Sequence, residues 1–363
     1  MSISARLLDS LRLPEGRALV HGSVWEGRSG RPHRALLLHG DDLEVHEPDA
    51  LFAGEQAPAA VFPLPWPDFA RGGASVSPDG SFAVFAGQRA VRAVTADGET
   101  LWEYGHTCWG SPLGHPHPAA GRGPCQGYEH GSCRVSDDGR SVWAHVLAPG
   151  EEYQEVWSVL DARDGRELAR IPLGDSEATG SQHFSHPDGV HMGLCVGMGQ
   201  DGVLLFWARW DGVRPTVWDL DGALDRILVD VHPAHGGFLT VEHYGSDLRL
   251  HALDGTVLAA RDRLPAAEGA EADELPWDHE PGFVDADTVV VSTGVEHDVD
   301  DSGPRHWLLD ARTLEIRGPV TYPGGPVDSP VRPLGDGSWL TYDAAADGGT
   351  LSRWTVGNDR TGG

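Results

Sequence analysis

The chain has 363 residues, with 55 acidic against 27 basic side chains and a formal net charge of −28 at pH 7. That balance argues against a nucleic-acid or anionic-membrane surface, since phosphate binding is driven by Lys and Arg; it suits solubility and basic or metal-ion partners, the plainer alternative being that the acids sit in turns, where Asp is useful in any case. Four cysteines argue against a disulfide framework, and 48 glycines with 26 prolines point to many short elements joined by turns.

At the N-terminus, Arg6, Asp9, Arg12 and Glu15 interrupt every apolar stretch, so no secretory core is visible. No apolar run elsewhere is long enough to span a bilayer. These features predict a soluble, cytoplasmic protein with no membrane partner.

The first unit is the least regular. Strands are predicted over Arg17 to Trp25, Arg34 to His39 and Leu43 to His46; Glu47 to Ala60 reads as loop, and Val61 to Leu64 as a closing strand. The second unit is the clearest. Ala74 to Ser77, Phe82 to Ala86, Ala90 to Val94 and Thr100 to Tyr104 are apolar runs separated by Pro78-Asp79-Gly80, a short loop and Asp97-Gly98. Such turns supply the backbone conformations that tight hairpins need. Further units begin at Ser132, Ser181, near Ile227, near Gly282 and near Ser329, on the pattern of a first strand, a Gly/Asp turn, a second strand, a loop, a third strand and, in all but the last, an Asp-Gly-like turn and a fourth strand. The last unit lacks its fourth strand. A ring must close to leave no open edge, so a strand within Leu7 to Val24 is predicted to complete it.

The whole is read as an all-β fold, a seven-bladed β-propeller of four-stranded antiparallel blades, in one domain over residues 1–363. Two segments break the register: a His/Cys-rich insert at 106–130 and an acidic linker at 266–280.

The segments SVSPDGSFAVF, RVSDDGRSVWA, VWSVLDARDGRELARI and LRLHALDGTVLAARD resemble WD-repeat and related bacterial propellers. The closing Trp-Asp occurs as Trp218-Asp219, but the opening Gly-His is not reproduced unit by unit. The resemblance implies a toroid whose loops build a binding surface over a central channel. It is specific for fold and carries no activity with it.

Chemistry concentrates in the insert, where His106, Cys108, His115, His117, Cys125, Glu129, His130 and Cys133 are the densest set of metal-capable side chains. Imidazole and thiolate suit Zn, Mn, Fe or Cu in differing degree, although the spacing matches no zinc knuckle; incidental loop histidines, buried thiols or an opportunistic disulfide are the plainer alternatives. His130, His183 and His279 stand at equivalent unit entries and would converge on the axis as metal ligands if the ring closes. Glu129 and Glu280 would then serve as acid or base; the alternative is that each His bonds within its own blade. His186, His191, His232, His235 and His243 read as turn or strand residues. Trp109 and Trp277, with Tyr128 and Gln182, are candidates for contact with a peptide or sugar, the alternative being that each Trp pins its loop to the ring.

Two functions compete on this reading. One is a protein- or peptide-recognition scaffold without a cofactor, working through its channel-mouth face. The other is a metal-dependent lyase or hydrolase with a His-ligated divalent ion over the channel.

Overall fold

The computed structural model of the chain describes residues 2–12, 24–28, 31–55, 57–66, 73–110, 130–150, 154–174, 176–218, 220, 225–234, 236–264, 275–293, 305–327, 329–343 and 349–357. Strand β1 (Ile3–Arg12) stands first in the chain and is taken up again below. Five four-stranded antiparallel sheets follow in order. They are β2 (Val24–Arg28), β3 (Arg31–His39), β4 (Asp42–His46) and β5 (Ala60–Pro63); then β6 (Ala74–Val76), β7 (Phe82–Ala86), β8 (Ala90–Thr95) and β9 (Thr100–Gly105). The third is β10 (Cys133–Val135), β11 (Ser141–Leu147), β12 (Glu155–Asp161) and β13 (Glu167–Pro172), and the fourth β14 (Gly180–Ser185), β15 (His191–Gly197), β16 (Val203–Trp210) and β17 (Pro215–Trp218). The fifth is β18 (Arg226–Val231), β19 (Phe238–Glu242), β20 (Asp247–His251) and β21 (Val257–Asp262).

The remaining strands are β22 (Gly282–Phe283), β23 (Thr288–Thr293), β24 (Arg305–Asp310), β25 (Ile316–Thr321), β26 (Arg332–Pro333), β27 (Ser338–Asp343) and β28 (Thr350–Val356). With β1 they form one sheet in the order β22-β23-β24-β25-β1-β28-β27-β26. Strand β1 pairs antiparallel with β28 from Ala5↔Val356 to Arg12↔Thr350, and parallel with β25 only at Ile3↔Val320 and Ser4↔Thr321. The N-terminal strand therefore does complete the last unit, beginning a few residues earlier than predicted.

Apolar side chains are shared between neighbouring sheets all the way round. Leu36, Leu43 and Phe62 of the first sheet pack with Val76, Ala83 and Phe85 of the second. Val84 and Val91 meet Val142 and Leu160; Trp143 and Trp157 meet Met192 and Leu194; Leu205 and Trp207 meet Leu228 and Phe238. Leu239 and Val241 meet Val289 and Leu309, and Val290 and Leu308 meet Trp339 and Trp354. Phe52 of the first unit then packs with Leu334, Leu340 and Leu351 of the last. The cores return on themselves, and the first strands of consecutive sheets, β6, β10, β14, β18, β22 and β26, are neighbours in turn. The fold is a β-propeller.

The predicted turns hold for physical reasons. The Ser77 hydroxyl donates to Asp79 Oδ1 at 2.7 Å, Ser136 to Asp138 Oδ1 at 2.6 Å, and Gly80 and Gly139 take φ of 74° and 71°, where a side chain would be strained. Two local readings need correction. Residues 47–60 are not all loop, because Pro48–Phe52 form a one-turn helix, α1, with a proline at its start and with Leu51 and Phe52 buried. The first strand of that unit is described from Val24, and residues 13–23 lie outside the described residues.

Candidate functional site

In each unit the connection from a fourth strand to the next first strand lies at the same end as the turn between second and third strands. Thr107 shows this for the insert, donating to the Ala148 carbonyl at 2.7 Å beside β11. This end is the mouth to which the sequence assigns binding.

At the mouth of the third and fourth sheets, one chain of hydrogen bonds crosses the boundary. The Trp157 indole N–H donates to Nε2 of His183 at 2.8 Å, which leaves the His183 proton on Nδ1, 2.7 Å from Ser132 Oγ. Ser132 Oγ lies 2.7 Å from Ser181 Oγ, and Ser181 lies 2.9 Å from Nδ1 of His145. His145 Nε2 reaches Glu155 Oε2 at 3.0 Å. Each group can donate to the next, from indole to carboxylate, so every link is satisfied. Burial pushes His183 well below the ordinary imidazole value and keeps it neutral. Burial would raise the Glu155 carboxyl, but the bonds from His145 and the Ala178 N–H hold it below its usual range. Ser181, His145 and Glu155 stand in the order nucleophile, base, orienter. His145, however, is wholly buried, with the Trp109 ring edge-on at 5.2 Å between centroids. The arrangement is a brace between sheets.

A second network lies on the inner strands. Glu26 is buried and takes Arg34 Nε at 2.7 Å, Arg134 Nη1 at 2.8 Å and the Ser75 hydroxyl at 2.5 Å. Arg134 also donates to Ser185 at 3.0 Å, so four first strands are tied together. Burial opposes ionisation of Glu26, and the two guanidinium groups outweigh it and lower its value.

The third feature is at the mouth of the fifth and sixth sheets. Tyr244 sits in the turn after β19 and is 69% exposed. Its main chain is clamped: the N–H donates to Glu242 Oε2 at 3.0 Å, and its carbonyl accepts Arg263 Nη2 at 2.7 Å. The His243 ring lies 5.2 Å from the Tyr244 ring and 5.7 Å from that of His279. Asp278, next to His279 in sequence, is raised to about 6, and Asp230, toward the far end of β18, to about 7, both by burial. Asp230 Oδ2 accepts the Phe283 N–H at 2.7 Å and so joins β18 to β22.

The predicted site residues divide as follows. His183 has both ring nitrogens engaged within the brace. His279, exposed, has Nε2 at 2.8 Å from the His243 carbonyl, and His130 has Nδ1 at 3.2 Å from the Gly131 carbonyl. Among the described residues the metal-capable grouping of three is His186, Asp188 and His191, not His130, His183 and His279. His106 is lowered to about 4 by burial, with Nδ1 at 2.7 Å from the Thr107 carbonyl. Cys108 and Cys133 are buried, and burial pushes the Cys133 thiol above its ordinary value. Glu280 pairs with Arg332 at 3.0 Å. Gln182 is exposed on β14. Trp109 and Trp277 are corrected from exposed contact residues to buried ones, at 3% and 1% exposure. Trp277 donates to the Arg261 carbonyl at 3.2 Å and pins its loop to the ring. Cys125, Tyr128 and Glu129 lie outside the described residues.

Sequence reasoning passed over His145, Glu155, Ser181 and Tyr244. The first three come from different strands and share no spacing; Tyr244 stood in a turn without a second aromatic beside it.

No protein-family model and no curated protein matches the chain. Among solved structures it is similar to BamB from Moraxella catarrhalis, at 11% identity and a TM-score of 0.41, with 99% of each chain covered. It is also similar to dihydro-heme d1 dehydrogenase NirN in complex with DHE, at 17% identity and a TM-score of 0.47, covering 92% of this chain and 63% of that one.

Proposed function

We propose that this propeller is a recognition scaffold that binds a basic segment of a protein or peptide at its mouth, with Tyr244 as the aromatic anchor. The observation that carries the reading is the pairing of an exposed ring with a clamped backbone at Tyr244. An aromatic side chain held this way offers contact area with little ordering left to lose on binding. The net charge of −28 favours a Lys- or Arg-bearing partner, whose cation can lie over the phenol ring. The imidazoles of His183 and His279, engaged by protein groups, support a bracing role over a shared metal.

The test is titration of the protein against a panel of Lys/Arg-rich and acidic peptides by calorimetry. Selective binding of basic peptides that weakens with salt is expected, and Tyr244→Ala should weaken it by about tenfold or more. Binding indifferent to Tyr244→Ala would overturn the assignment of the anchor. Absence of binding to every basic peptide would overturn the partner class.

A further inference from the structure

The fourth sheet carries a chemistry that its sister sheets lack. In the second and third sheets the turn after the first strand is closed by a serine hydroxyl donating to the turn aspartate, Ser77 to Asp79 and Ser136 to Asp138. In the fourth sheet the same turn reads His186-Pro187-Asp188-Gly189-Val190-His191. His186 takes the serine's place, and His191 takes the place of Phe82 in the second sheet and Ser141 in the third. The fifth sheet shows that a histidine alone can serve the turn: His232 Nδ1 accepts the Ala234 N–H at 3.0 Å, with no aspartate in the turn position. A serine with an aspartate, or an imidazole without one, is therefore enough to make the turn. Two imidazoles with one carboxylate are more than it needs.

The geometry is convergent. One ligand atom from each of His186, Asp188 and His191 lies within 4.8 Å of the others. His191 Nδ1 is 2.6 Å from Asp188 Oδ2, and His186 Nδ1 is 3.2 Å from Asp188 Oδ1. The Asp188 main-chain N–H points at that same His186 Nδ1 at 3.3 Å, so the nitrogen offers a lone pair. Without an ion these groups are hydrogen-bonded to one another, His191 Nδ1 with Asp188 Oδ2 and the Asp188 N–H with His186 Nδ1; an entering ion would displace the imidazole proton and take up the freed lone pairs. The rings are held in place: His191 stacks on Trp207 and Trp218, at 5.8 and 5.4 Å between centroids, and His186 meets Trp207 edge-on at 6.2 Å. Asp188 is held by the Val190 and His191 N–H groups at 3.0 Å each. Packed supporting groups of this kind fix ligand orientation around metals. Both imidazoles are buried, while the aspartate side chain keeps 21% of its surface exposed and gives an ion its way in.

We propose that His186, Asp188 and His191 form a binding site for one borderline divalent transition ion of the Zn²⁺ or Co²⁺ class. Two imidazole nitrogens and one carboxylate are a donor set that selects such ions over Ca²⁺ or Mg²⁺, and water completes the shell on the Asp188 side. The site stands at the end of β14 opposite the mouth, so it is independent of the recognition surface proposed above.

Untagged protein is titrated with Co²⁺ and followed by visible absorption and calorimetry. The expected result is one ion bound, with weak visible d–d bands and no thiolate charge-transfer band in the near ultraviolet. The variants are taken from the sister turns, His186→Ser from Ser77 and His191→Phe from Phe82, so that the hairpin keeps a side chain already used there; Asp188→Asn is the third. Each should weaken binding by about tenfold or more, while the circular dichroism and melting transition show a folded protein. Binding of equal strength in these folded variants overturns the proposal, as does a thiolate band, which would place the ion on the cysteines instead. Failure of the wild type to bind Co²⁺ or Zn²⁺ overturns it as well.

Discussion

At the scale of single residues, His183 decides how the third and fourth sheets meet. Its ring accepts from Trp157 and reaches Ser132, and behind Ser132 stand Ser181, His145 and Glu155. Truncating it leaves a buried indole N–H without an acceptor. His183→Ala is expected to cost about 2–4 kcal/mol, read from urea unfolding, and Ser181→Ala less, because Ser132 can relax toward other partners. A loss of under about 0.5 kcal/mol for His183→Ala would show that the chain of bonds is not cooperative. His183 was legible as a unit-entry histidine, yet its role was not. Whether an imidazole binds a metal or a neighbour depends on which strand faces it, and Trp157 lies a hairpin away in sequence. Trp109 and Trp277 were misplaced for the same reason: their loops read as surface segments, while the indoles turn back into the apolar seams between sheets.

At the scale of elements, β1 is the piece on which closure depends. It supplies the edge that β28 needs, from Arg12↔Thr350 to Ala5↔Val356, and it touches β25 at two further positions. Removing residues 1–12 would leave β28 as an open edge and uncover Trp354. Such a truncation is expected to lower the melting temperature by on the order of 10 °C or to drive association, visible by calorimetry and light scattering. An unchanged melting transition would show that β1 is dispensable. This closure was legible because the missing fourth strand is a counting argument, and counting survives errors in boundaries. Helix α1 was not legible, since five residues after a proline carry no helical period; its formation rests on Leu51 and Phe52 finding apolar neighbours of the last unit and of β3. The described strands form six hydrogen-bonded sheets, five of four strands and one of eight that β1 joins into a single sheet, where the sequence reading expected seven separate blades.

At the scale of the molecule, buried charge is handled in two opposite ways. Glu26 is buried with two arginines and is held ionised. Asp230 is partly buried and raised to about 7, and Asp278 is raised to about 6. An aspartate raised in the folded state binds its proton more tightly there than in the unfolded chain. Its favourable contribution is complete below pH ~4 and fades as pH climbs to the folded value. Over pH 4 to 7 the Asp230 contribution should therefore fall by about 1.4 kcal/mol per pH unit at most, with Asp278 acting in the same direction up to about pH 6. Glu26 acts in the opposite sense, losing its contribution as pH falls below the ordinary glutamate range. Denaturant midpoints measured from pH 4 to 8 should decline toward neutrality more steeply in the wild type than in Asp230→Asn. Parallel profiles would remove Asp230 as the cause.

Strand β1 has its partners at the far end of the polypeptide, so the torus cannot be sealed until synthesis has passed Val356. Until then a nascent chain displays two raw flanks of sheet on one molecule, each suited to a sister copy as well as to its own counterpart. A cargo fused directly before Ile3 would sit in that seam. Placing it on the turn at Val213, which projects into solvent, would leave the seam clear.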